Sequence, residues 1–142
     1  MARFKFRLQS VIRVKEIQEK KIQRELAQVK KRILQEQENL ETLEDERERL
    51  LSASPLNGKI KAADIVTHHD YIKKISEEIR FENARIDSLT EFETKKIDEV
   101  LEVKKDREAI EHLKEKRLEE ARRELDRKEQ VLIDAIAQRM SA

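Results

Sequence analysis

One proline and one glycine occur in 142 residues, and both fall within a single stretch, SASPLNGK at positions 52–59. Proline lacks a backbone donor and clashes with the preceding helical turn, while Asn57-Gly58 favours a positive-φ turn. The flanking serines compete for backbone hydrogen bonds and reinforce the break. A chain that keeps its breakers for one place is built to run uninterrupted on either side of it.

What runs there is set by periodicity. From Ile22 to Leu50 the apolar residues are Ile22, Leu26, Val29, Ile33, Leu40, Leu43 and Leu50, with Glu36 and Arg47 in the two missing slots. Steps of four and three alternate, which is the 3.5-residue period of a coiled-coil seam. A second series follows the break: Ile72, Ile75, Ile79, Ile86, Leu89, Val100, Val103, Ile110. With 44% charged and 4% aromatic residues, composition alone leaves a disordered polyelectrolyte or a long helix, and the phased leucines and isoleucines decide for helix. The expected fold is all-α: two long helices, about 4–51 and 62–140, joined by a hinge at 52–61 into one antiparallel coiled-coil hairpin over residues 1–142.

A register follows from the two series. If position i faces 112 minus i, Leu40 meets Ile72, Ile33 meets Ile79, Leu26 meets Ile86 and Ile12 meets Val100. The same alignment sets Glu19 against Glu93 and Lys15 near Lys96, so a stutter that rotates Val14, Ile17, Phe92 and Ile97 inward is expected there. At 1.5 Å per residue the helices would measure about 70 and 120 Å. Residue 4 would pair near 108, leaving 109–142 as an overhang with an apolar stripe of Ile110, Leu113, Leu118, Leu125, Leu132 and Ile136. An apolar stripe on an unpaired helix marks a binding face, for a partner or for a second copy.

Net charge is +1, but residues 1–32 hold eleven Lys/Arg against three Glu, and residues 33–54 hold seven Asp/Glu against two Arg. Lys/Arg and Glu alternate through most of the chain with no aromatic platform beside the basic residues, which speaks against nucleic acid. There are no cysteines, which excludes disulfides and thiolate metal sites. His68 and His69 point about 100° apart on a helix, and Asp64 with His68 is a weak pair spacing without a third ligand. No catalytic, cofactor-binding or metal-binding residues are expected. No apolar run reaches the length of a membrane span, and MARFKFRLQSVIRVKEIQEKK does not read as a secretory signal. Phe4, Phe6, Leu8, Val11 and Ile12, flanked by Arg3, Lys5, Arg7 and Arg13, could instead form a basic amphipathic segment, although FKFRL alternates with period two.

The two ends together resemble the FliJ family of flagellar export proteins. The opening FKFRLQSVIRVKEIQEK is similar in Phe4, Phe6, Leu8, Val11, Ile12, Arg13 and Lys15. The closing KEKRLEEARRELDRKEQVLIDAIAQR is similar in Arg127, Glu129, Gln130, Asp134 and Arg139. The resemblance implies a non-enzymatic, stalk-like coiled coil of the type III export apparatus, without cofactors. It would sit in the cytoplasm, peripheral to the inner membrane at the flagellar base through its partners.

Three partners are implied. The open end would bind the export ATPase hexamer and promote its assembly through Phe4, Phe6, Leu8, Arg13, Leu118, Leu125, Arg127, Gln130, Leu132 and Ile136. The hinge end would bind the cytoplasmic domain of the export gate protein through Leu43, Leu50, Tyr71 and Ile75, where Glu46 and Glu78 depart from the expected apolar character. Export chaperones would be escorted. The rival is a generic coiled-coil scaffold that self-associates through its C-terminal helix; a prefoldin-like chaperone would need strand hairpins that residues 52–61 are too few to supply.

Overall fold

The computed structural model describes residues 5–53 and 61–141. Within them α1 spans Gln9–Ser52 and α2 spans Ala62–Ser141, an all-α hairpin whose second helix is the longer. Phe4 and the turn residues Pro55, Asn57 and Gly58 lie outside the described residues.

Helix α1 begins at Gln9 rather than near residue 4. Its first amide donates to the Phe6 carbonyl at 3.1 Å, and Arg7 and Leu8 form a turn. The alternating FKFRL has no helical phase and no capping side chain, so the chain enters the helix only after it. At the other end Ser52 Oγ donates to the Glu48 carbonyl at 2.7 Å, and Arg49 lies in the last turn, where a cation suits the helix dipole. Helix α2 opens on the Lys61 carbonyl, which accepts from the amides of Asp64 and Ile65, with Asp64 in its first turn and Arg139 in its last.

The chain forms two compact units: Ile22–Glu99, and Met1–Lys21 with Val100–Ala142. In the first, the seam is made by the 3.5-residue series. Ile75 and Ile79 are buried, and Ile22, Val29, Ile33, Leu40 and Leu43 are half-buried from the α1 side. Burial of each isoleucine stabilises the pair by about 1.5–3 kcal/mol. The cross-helix contacts are antiparallel: Tyr71 bonds Glu46, Arg85 approaches Glu36, and Lys96 bonds Glu25.

Those contacts correct the register. Arg85 Nη1 lies 3.6 Å from Glu36 and 3.2 Å from Glu82, so these two residues share a layer and their numbers sum to 118; the sum is 117 for Glu46 with Tyr71 and 121 for Glu25 with Lys96. The alignment expected from the apolar series is therefore wrong by about one heptad. Counting from the Glu36–Glu82 layer, Leu40 falls opposite Ile79 and Ile33 opposite Ile86. A seam of period seven maps onto itself after a slip of seven, so apolar spacing cannot choose between the two alignments. Charge can. The observed register gives Lys96 a carboxylate partner at 2.8 Å, where the alternative set Lys96 near Lys15.

In the second unit Phe6 and Ile12 are buried. Lys15 reaches Asp106 at 3.6 Å, and Gln9 accepts from Lys114 Nζ at 2.6 Å. Ile12 lies between these two contacts and so belongs opposite the neighbourhood of Ile110, not Val100. Arg107 donates through Nε to Glu19 at 2.7 Å and through Nη1 to Glu111 at 2.9 Å. Its two carboxylate partners push the guanidinium pKa up from an already high value. Of the four residues expected to rotate inward only Ile97 is half-buried: Val14, Ile17 and Phe92 are exposed, and Lys15, Glu19 and Arg107 hold half-buried seam positions. Once each inward charge has an opposite partner, no rotation is needed to expel it.

Candidate interaction surfaces

From Arg122 to Ser141 every residue of α2 is exposed. The half-buried positions end with Leu118 and Ala121, consistent with the contact between Gln9 and Lys114. The overhang is therefore 122–141 among the described residues, shorter than the expected 109–142, because the one-heptad correction draws more of α2 alongside α1. Ile110 and Leu118 are half-buried rather than free.

This stretch keeps its helix by propensity and by pairs within one face. Arg123 bonds Glu119 at 2.8 Å, Arg127 approaches Glu124 at 3.7 Å, and Gln130 donates to Asp134 at 3.1 Å. Each such pair is worth on the order of 0.3 kcal/mol. Against this polar background stand Leu125, Val131, Leu132, Ile133, Ile136 and Met140, all at least half exposed. Val131, Leu132 and Ile133 are consecutive, so they span about 200° of the helix circumference, and Ile136 and Met140 extend the same surface by successive turns. The apolar surface is wider than a coiled-coil seam. Spacing by four and three found Leu125, Leu132 and Ile136 but passed over Val131, Ile133 and Met140; the signal for these was the unbroken apolar triplet itself.

Of the other residues assigned to the open end, Arg13 is exposed, Leu8 is half-buried and Phe6 is buried. Phe6 thus serves the packing of its own unit. Arg127 and Gln130 are exposed on α2 and occupied with Glu124 and Asp134.

In the unit Ile22–Glu99, Leu51, Ile65, Val66 and Tyr71 are exposed near the ends of the helices. The Tyr71 hydroxyl donates to Glu46 Oε1 at 2.7 Å. That bond, with the negative charge of Glu46, pushes the phenol pKa above its ordinary value. Leu43 and Leu50 are half-buried on the seam. Ile75, expected on the gate-facing surface, is 3% exposed and belongs to the core. Its place one turn from Ile79 puts both on the inward stripe, so it offers no surface to a partner. Glu46 departs from an apolar pattern because it holds Tyr71.

These features are a charged hairpin with a continuous helix beyond it and an apolar tail face. The family model described as flagellar FliJ protein matches residues 4–142. The chain belongs to the FliJ family. Among curated proteins and solved structures, none matches it. Membership of the FliJ family makes the chain a component of flagellar protein export. No helix among the described residues is long and apolar enough to cross a membrane.

Proposed function

We propose that this FliJ-family chain is a non-catalytic stalk and adaptor whose tail, residues 122–141, engages the export ATPase hexamer and promotes its assembly and activity. The observation behind this is the exposed apolar surface around Val131, Leu132 and Ile133. A surface that wraps half the circumference suits a partner that surrounds the helix, as a ring does, better than one flat helix laid alongside. Exposed Leu51, Ile65, Val66 and Tyr71, with the half-buried Leu43 and Leu50, are the surface we assign to the export gate protein. Escort of export chaperones, and a peripheral place at the inner membrane through these partners, complete the role.

Truncation after Ala121 tests the central claim. The shortened chain should keep its two-unit hairpin, seen as an unchanged denaturation midpoint, and should lose stimulation of the export ATPase. Leu132→Asp in the full chain should do the same without shortening it. Stimulation undiminished in both would overturn the assignment. The same tail face could instead pair two copies of the chain; a concentration-dependent dimer that both changes abolish, with ATPase stimulation intact, would favour that scaffold.

A further inference from the structure

Among the described residues, Glu36 and Glu82 are the buried carboxylates of the unit Ile22–Glu99, and they share one layer of its seam. Their side chains are 6% and 8% exposed, in a position where a coiled coil buries apolar groups. Each has one oxygen satisfied from the water side. Arg32 Nε donates to Glu36 Oε1 at 2.8 Å, and Arg85 Nη1 donates to Glu82 Oε2 at 3.2 Å. The inner oxygens, Glu36 Oε2 and Glu82 Oε1, are buried without a hydrogen-bond partner. Arg85 Nη1 stands 3.6 Å from Glu36 Oε2, beyond hydrogen-bonding range. Two ionised carboxylates offer acceptors only, so neither can satisfy the other. Arg32 and Arg85 are both more than half exposed, and water screens their charge more than it screens the repulsion between the inner oxygens.

We propose that this layer is a proton-binding site: a single proton shared between Glu36 and Glu82 closes the seam, and its loss at higher pH loosens the pairing of the two helices. The charged groups that face the pair are Arg32 from α1 and Arg85 from α2, the two elements that make this unit. The direction of titration agrees. The hydrogen bond that a protonated Glu82 can make to Glu36, then burial, then the Glu36 charge raise Glu82 above the ordinary 4.5, against the opposing pull of Arg85 and Arg32. Accepting that bond, with smaller help from Arg32 and Arg85, holds Glu36 below 4.5 against its burial. The ionisations belong to the pair, one below and one above the ordinary range. A raised folded-state pKa means stability that is complete below 4.5 and is lost as pH rises through the raised value. The lowered one is lost only in stronger acid.

The test is urea denaturation of the full chain, followed by circular dichroism across pH, for the wild type, Glu82→Gln and Glu36→Gln. The wild-type midpoint should fall as pH climbs above the ordinary carboxylate range. Glu82→Gln should remove that fall, because its amide donates to Glu36 without needing a proton. Parallel profiles for wild type and Glu82→Gln would overturn the proposal. Carbon-detected NMR of the Glu side-chain carboxyls gives an independent check on the folded wild type. One carboxyl of the pair should titrate above 4.5; both titrating at or below it would equally rule the shared proton out.

Discussion

Leu40→Cys combined with Ile79→Cys should oxidise readily to an intramolecular bridge, whereas Leu40→Cys with Ile72→Cys should not. From the facing pair Glu36 and Glu82, four residues forward on α1 and three back on α2 lead to Leu40 and Ile79. Ile72 lies seven residues further along α2, a displacement of about 10.5 Å on the helix axis. A disulfide spans about 4.4–6.8 Å between Cα atoms, so the second pair is out of reach by several ångströms while the first shares a layer. The chain contains no native cysteine, so a mobility shift on a non-reducing gel, mapped by mass spectrometry at low protein concentration, reads the engineered bridge alone. Ile33→Cys with Ile79→Cys should fail for the same reason as the 40/72 pair. Efficient bridging of 40 with 72, and none of 40 with 79, would show that the apolar layers and not the charged ones set the alignment.

Ile79→Ala removes a 6% exposed side chain and should lower unfolding free energy by about 2–4 kcal/mol in urea, at the lower end because the seam is narrow and can partly collapse. Ile136→Asp, on a half-exposed residue, should change it by no more than about 0.5 kcal/mol. Arg107→Ala strips Glu19 and Glu111 of their shared partner and should speed amide exchange around both residues while leaving the unit Ile22–Glu99 protected. Because Glu46 raises the Tyr71 pKa, the contribution of that bond is present at neutral pH and lost as pH rises through the raised value. Ultraviolet titration should find the phenol ionising late, and Glu46→Gln should bring it back toward 10.0.

The helices, their antiparallel order and the greater length of the second were legible because they follow from breakers and period. Register was not, because Ile33 fits Ile79 and Ile86 equally well. The deciding marks were present as exceptions to the pattern. Glu36 and Glu82 each interrupt an apolar series, and setting the two interruptions against each other yields the observed alignment at once. Lys15, Glu19 and Lys96 pointed the same way through the like-charge clashes of the alternative. The inward rotation of Val14, Ile17, Phe92 and Ile97 follows only from the alignment that these charges disfavour, and of the four only Ile97 is half-buried. Ile75 illustrates a different limit: resemblance assigned it to a surface, while its own seam position required burial.

The stretch beyond Ala121 has a practical corollary. Its backbone amides are guarded only by their own helical ladder, with no second helix laid over them, so in the free protein they should trade hydrogen for deuterium far sooner than those around Ile75 and Ile79. Any molecule that clasps this segment will silence that traffic. The tail therefore carries a native gauge of occupancy, readable without a label, a fusion or knowledge of who the visitor is.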